Sequence, residues 1–238
     1  MHELKFVELF KSEKPFTGIV LRAHSASRFV PTRGRDAADI LAELAAFSKG
    51  WTGGEMSPLI HTEWSALAPI AAPIVAAVLD VRTPDDESVI HERIGKFPLA
   101  PTGIINGVTS LTPFWSLTEP LPVGGTDQFT HGVRLTAVLV RLQRKLAVVQ
   151  RRISLGMVMI PLVGTSVTVH GENIVRREGL RSEVAIPVAN SRLVPVTLEP
   201  GSDEPVDFTD LFDLVDDGNP TAEKTQADAW RAALAFQR

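Results

Sequence analysis

Residues 104–121 read IINGVTSLTPFWSLTEPL. Two short apolar runs flank a Gly-Val-Thr-Ser turn at 107–110, so the stretch predicts strand, turn, strand. The Phe114-Trp115 pair beside Pro113 and Pro120 leaves two meanings open: the wall of a working active site, or what remains of one whose chemistry is gone.

Working outward, Ile74 to Val81 (IVAAVLDV) follows Pro73 as a short continuous apolar run, the pattern of a strand buried on both faces, with Asp80 at its end. Thr17 to Arg22 and Arg28 to Val30 read as a hairpin around a His-Ser-Ala-Ser turn. Asp36 then serves as an N-cap for a helix carrying Ile40, Leu41, Leu44, Ala45 and Phe47, and Gly50 closes it. A glycine-rich loop follows from Trp51 to Ser57, and a short helix is predicted near Val89 to Ile94.

The longest helix is predicted over 132–152, with Leu135, Leu139, Leu142, Leu146 and Val149 as its apolar stripe. Arg134, Arg141, Lys145 and Arg152 fall within about 40° of one another on the helical wheel, a basic ridge flanked by Arg144. Met157 to Val169, Val184 to Val188 and Leu193 to Leu198 predict further strands. Asp207 caps a short helix bearing Phe208, Leu211, Phe212 and Val215, and Asn219-Pro220 opens a last one. The expected organisation is one domain over 1–217 and a helical appendage over 218–238. The fold class is α+β, with a mixed or antiparallel sheet flanked by helices.

Composition narrows the function classes. The chain has 238 residues, 44% of them hydrophobic and 22% charged, which suits a folded core and excludes the disordered class. It has no cysteine, which excludes disulfides, thiolate metal sites and cysteine nucleophiles. The opening MHELKFVELFKSEK lacks the charged, apolar, small-residue order of a secretory signal. The longest apolar run, Ala66 to Leu79, holds 14 residues and two prolines, whereas a membrane span needs about 20. The expectation is a cytoplasmic protein with no membrane segment. A net charge of −4 argues against a wholly basic nucleic-acid coat, so any such surface has to be local.

Two-metal nucleotidyl transfer needs two or three converging carboxylates, because only clustered hard oxygens hold two Mg²⁺ ions close together. Asp80 is placed for that role as catalytic and metal-binding acid, but its i+2 neighbour is Arg82; a capping or ion-paired aspartate is the alternative. Asp85, Asp86 and Glu87 offer further ligands or a solvated turn after Pro84. His91-Glu92 lacks a second histidine four residues on, so it is not a zinc-protease helix. His61 and Glu63 read as surface polarity on a strand. GWTGGEMS, at 50–57, matches neither a phosphate-binding loop nor a nucleophile elbow. The positive signal for a partner is the basic ridge, since spaced arginines pair successive phosphates; a solvated helix face is the alternative.

In the order of its motifs the chain resembles the archaeo-eukaryotic primase superfamily, specifically the primase-polymerase domains of phage and plasmid replication proteins. LRAHSASRFVPTRGRDAADILAELAAF resembles the opening hairpin and alanine-rich helix, and AVLDVR the strand that ends in paired acids. PTGIINGVTSLTPFWSLTEPLP resembles the proline-led strand, turn and Tyr-Trp…Glu-Pro-Leu segment. MIPLVGTS resembles a worn Arg-Leu-Pro-Gly-Thr motif, and VPVTLEPGSDEPVDFTDLFDLV the closing strand and small helix. The likeness covers the chain to about Asp217.

The departures fall where the chemistry would be. Of the two motif acids Asp80 matches and Arg82 does not; the histidine position holds Thr112, and the third acid position falls near Ser154. The resemblance implies a nucleotidyltransferase scaffold that uses Mg²⁺ or Mn²⁺ if active. Primer synthesis would be weak or lost because the acids are largely absent. Its partners would be single-stranded DNA or a primer-template, bound through Arg134, Arg141, Arg144, Lys145 and Arg152. A non-catalytic scaffold recruiting a helicase or another replication protein is the alternative.

Overall fold

The structure is a computed structural model that describes residues 2–23, 26–50, 55–62, 69–107, 110–124, 128–149, 158–160, 166–170 and 191–216. The expected appendage over 218–238, the strand over 184–188, and the positions Arg152 and Ser154 lie outside the described residues.

The opening hairpin forms β1 (Thr17–Ala23) and β2 (Ala26–Pro31), after a short helix α1 (His2–Glu8). Helix α2 (Ala37–Gly50) starts directly after Asp36. The chain continues through β3 (Glu55–Thr62), β4 (Pro69–Ala76), β5 (Leu79–Asp80), α3 (Pro84–Gly95), β6 (Gly103–Asn106) and β7 (Ser110–Pro122). Helix α4 (Gln128–Leu146), β8 (Val158–Met159), β9 (Ser166–His170), β10 (Ser191–Pro195), β11 (Thr197–Pro200) and α5 (Phe208–Val215) complete it. Among the described residues the main sheet runs β11-β6-β7-β4-β3-β1-β2, with β5 beside β7 and β8 beside β3; β9 and β10 form a separate hairpin. Every strand pairing is antiparallel, and the fold is α+β.

Both faces of the sheet are covered. On one, Phe6 of α1 and Phe10 just after it, and Ile40, Leu44 and Phe47 of α2, pack with Ile19, Leu21, Ile60, Ile74, Ile105 and Phe114. On the other, α3, α4 and α5 pack Ile90, Leu135, Leu142, Phe208 and Leu211 against Leu59, Val75, Leu79, Leu111 and Trp115. A strand with helices on both sides buries consecutive residues, so β3 and β7 lose the two-residue alternation that marks a half-exposed strand. Seven residues in a row, Leu111 to Leu117, are buried in β7.

Several boundaries differ from the sequence reading. The central strand starts at Pro69, not after Pro73, and the β4–β7 register shifts between Ala72 and Ile74. Proline has no N–H to donate, and a register break is where a ladder tolerates it. The second strand expected over 104–121 is found as β7, and Leu117 near its far end bridges Val206, with Thr118 N donating to Val206 O and Val206 N to Ser116 O. The run Pro84–Glu87 is not a solvated turn: Pro84 opens α3, which is longer than the short helix expected near residues 89–94, and Thr83 and Asp86 make a reciprocal capping box. α4 spans 128–146 rather than 132–152, and Arg93 Nη1 donates to Ala147 O just past its end.

Gly18 sits where β1 presses on β2. A Cβ there would come within 2.2 Å of Val30 O and 2.8 Å of Phe29 Cζ, so the strands would have to part. Gly18→Ala is expected to cost about 2 kcal/mol, lowering Tm by roughly 6 °C in a chain of this size, which a thermal melt followed by circular dichroism would read.

Candidate functional site

Asp80 ends β5 opposite Ser110, and Leu79 lies opposite Leu111. Directly paired residues share a face and faces alternate along a strand, so Asp80, Ser110 and Thr112 are on one side of the sheet. Thr112 is also paired with Ile105 of β6. Both are enclosed, Asp80 at 4% and Thr112 at 1% exposure. The two positions that the resemblance singles out on separate strands are therefore diagonal neighbours.

Arg82 does not share that face as a strand neighbour. β5 stops at Asp80, and the chain turns into the cap of α3: Arg82 N and Thr83 N both donate to Asp86 Oδ2, at 3.0 and 3.1 Å, while Asp86 N donates to Thr83 Oγ1 at 3.2 Å. The capping box commits the Asp86 carboxylate to two backbone N–H groups, and Asp85 is exposed on the first turn of α3. Among the described residues no three His, Asp or Glu side chains gather as a metal site. Among the described residues the site offers one enclosed carboxylate beside a threonine, which does not fit a pair of divalent cations, so no chemical step is assigned to a bound metal here.

The basic residues of α4 divide into two groups, which corrects the open ridge expected from the helical wheel. Arg141 is 5% exposed and ion-paired at 2.8 Å with Asp216, just past α5. Its guanidinium carbon lies 5.5 Å from the centre of the Phe212 ring, and that of Arg134 lies 4.5 Å from the same ring. Both are within cation–π range. α5 thus covers this face of α4. Arg144 and Lys145 remain exposed in the last turn. The Arg93 contact with Ala147 O brings α3 alongside, and Lys96 is one turn further on. Lys96 is paired with Glu92, whose carboxyl is held below its usual range by the Lys96 hydrogen bond first and the Lys96 charge second. Such an exposed pair contributes little to stability and yields readily to a stronger anion.

His61 is a second correction. It is 2% exposed rather than on the surface, and its Nε2 is 2.7 Å from Ser57 Oγ, itself 1% exposed. Ser57 Oγ also accepts from Leu59 N at 3.2 Å. The pair is enclosed in β3, which is buried without a break from Met56 to His61; apart from Ser57 and His61 those residues are apolar, the pattern of a strand covered on both sides. Among the described residues no helix is long and apolar enough to cross a membrane.

No family model matches the chain, and no curated relative matches it. Among solved structures, the chain is similar to the AEP domain of the cyanophage S-2L primase-polymerase (PrimPol), at 10% sequence identity and a TM-score of 0.46, over 90% of this chain and 96% of that one.

Proposed function

We propose that the chain is a primase-polymerase-like domain of a phage or plasmid DNA replication protein that binds single-stranded DNA or a primer-template, with primer synthesis and DNA polymerisation weak or lost. The observation that carries this reading is the meeting of the motif segments: AVLDVR places Asp80 at the end of β5, beside the strand on which PTGIINGVTSLTPFWSLTEPLP brings Thr112. That Asp80 is the single enclosed carboxylate of the site among the described residues supports the loss of synthesis, since in-line attack at an α-phosphate needs its charge neutralised by two well-held cations. Phosphate contact is assigned to the exposed Arg144 and Lys145, extended by Arg93 and Lys96, while Arg134 and Arg141 are taken up by α5.

Fluorescence anisotropy with labelled oligo-dT tests binding. Each phosphate contact to a single strand contributes about 0.7 to the slope of log K against log salt, so Arg144→Ala/Lys145→Ala is expected to flatten that slope by about 1.4. Absence of binding by the unaltered protein at low salt would refute the reading. Primer extension with Mn²⁺ and deoxynucleotides is expected to give little product, and any product should vanish in Asp80→Ala without loss of oligo-dT binding. A second reading, a non-catalytic scaffold recruiting a helicase or another replication protein, is favoured by the exposed acids Asp207, Asp210 and Asp213 around α5. Binding of such a partner without synthesis would support it.

A further inference from the structure

The arginines in the middle of α4 and the cations of its last turn have different surroundings. The guanidinium carbon of Arg134 lies 6.0 Å from the centre of the Phe208 ring and 4.5 Å from that of Phe212. That of Arg141 lies 5.5 Å from Phe212, and its Nη1 is 2.8 Å from Asp216 Oδ1. Residues 208, 212 and 216, one turn apart on α5 and just past its end, therefore follow the same line as 134 and 141, and α5 runs alongside α4 in the same direction. It is fixed there. Phe208, Leu211 and Val215 are buried in one core with Leu135, Leu139 and Leu142, and Val206 just ahead of the helix is bonded to Ser116 and Thr118 of β7.

What α5 turns outward is negative charge. Residues 207–216 hold four aspartates and no basic residue. Asp216 is paired with Arg141, and Asp207 accepts from Thr209 N as the cap. Asp207, Asp210 and Asp213 are all exposed, and among the described residues none of the three makes an ion pair. Along one line of α4 the outward charge thus changes sign, from negative over 134–141, where α5 lies, to positive at the exposed Arg144 and Lys145. From Arg141 to Lys145 the helix rises only about 6 Å. That is less than the screening length of about 10 Å at 0.1 M salt, so the acids are felt at the basic end.

We propose that α5 is an electrostatic fence: Asp210 and Asp213 keep a nucleic-acid strand from lying along α4 and turn it across the last turn of that helix, toward Arg93 and Lys96. Like charges set against a ligand fix its register by penalising the wrong one. A nucleic-acid strand laid along α4 would bring its phosphates against the exposed aspartates and gain nothing from Arg134 and Arg141, which α5 already engages. One that crosses at Arg144 and Lys145 leaves the acids to one side and meets Arg93, whose side chain reaches Ala147 O at the end of α4. The inference rests on the nucleic-acid reading above and gives it a path.

The test is anisotropy with labelled oligo-dT of increasing length at low and moderate salt. Asp210→Asn/Asp213→Asn is expected to tighten binding about fivefold at about 50 mM salt and by less than about twofold at about 200 mM, as screening removes the repulsion. Asp213→Asn alone lies beyond the first turn of α5 and keeps the Asp210 charge near the helix N-terminus. It is expected to tighten binding about twofold and covers a folding defect in the pair. Asp210→Lys/Asp213→Lys turns the fence into added phosphate contacts, so the slope of log K against log salt should steepen by about 1.4, and only with oligonucleotides long enough to reach α5 from Lys145. Glu13→Gln is the control, an exposed acid after α1, which packs on the opposite face of the sheet; it should change binding by less than about 1.5-fold. If the unaltered protein and the α5 variants bind equally well, the fence is refuted and the function stands. A gain from Glu13→Gln as large, charge for charge, as that from the α5 variants would make net charge the cause and overturn the proposal. If neither the unaltered protein nor the α5 variants bind oligo-dT at low salt, the function itself fails.

Discussion

Trp115→Ala is expected to remove about 4 kcal/mol of folding free energy, the largest single loss among the substitutions considered for this chain. Trp115 is 0% exposed and sits between the sheet and the α3–α4 layer with Leu79, Leu111, Ile90 and Leu142. Its ring meets Phe97 edge-on, with centroids 5.6 Å apart, and its Nε1 donates to Leu99 O at 2.9 Å. Alanine therefore leaves a cavity that the two packed layers cannot both close, and takes a donor from a half-buried carbonyl. Against a total stability of about 5–15 kcal/mol the loss is large. At roughly 2–4 °C per kcal/mol for chains of this length, a drop in Tm on the order of 10 °C is expected.

Trp115→Phe separates the two contributions. It retains most of the ring burial and gives up the Nε1 bond, so a cost of about 1–2 kcal/mol is expected. Urea denaturation with linear extrapolation measures both variants. Equal costs for Phe and Ala would mean that the hydrogen bond, not the packing, carries the site. Little cost for either would show that Trp115 is not a core residue and would reopen its reading as the wall of a binding site.

Trp115 also marks how far the sequence could be read. The hairpin around 107–110 was legible because turn chemistry is local, and Asp207 and the helical spacing of Phe208, Leu211 and Val215 gave α5. What one-dimensional pattern cannot report is which second layer covers a given face. β7 buries both faces, so Phe114 and Trp115 carry no alternation to show that they point into different cores. Pro113 and Pro120 look like strand breakers, yet Pro113 O accepts from Ala77 N, and Pro120 falls in the exposed part of β7 near the Val206 stitch. At the candidate site, Asp80 was legible as a strand end. The departure of Arg82 was not, because it depends on the Thr83–Asp86 box ending the strand. The α4 ridge was misread for the same reason: the helical wheel placed its cations together, but α5, some 70 residues later in the chain, supplies the cover.

That cover yields the second large effect. Asp216→Ala is expected to cost about 3 kcal/mol, because it withdraws the carboxylate from a guanidinium that is 5% exposed. The estimate takes the low end of one-sided losses, since Asp216 itself is 42% exposed and its carboxylate is partly screened. Arg141→Met should behave differently. An unbranched apolar side chain fills the space beneath Phe212 and leaves behind only a carboxylate that water can reach, so a cost under about 1.5 kcal/mol is expected. The combined variant Arg141→Met/Asp216→Ala should then be more stable than Asp216→Ala alone and cost about as much as Arg141→Met, a coupling of about 3 kcal/mol that a double-mutant cycle in urea would resolve. Arg141→Met should also leave oligo-dT binding unchanged, because its charge is spent on Asp216 and not on a phosphate. Additive costs would mean that the pair is not coupled, and weakened oligo-dT binding in Arg141→Met would return that arginine to the nucleic-acid surface, with α5 moving aside to admit the strand.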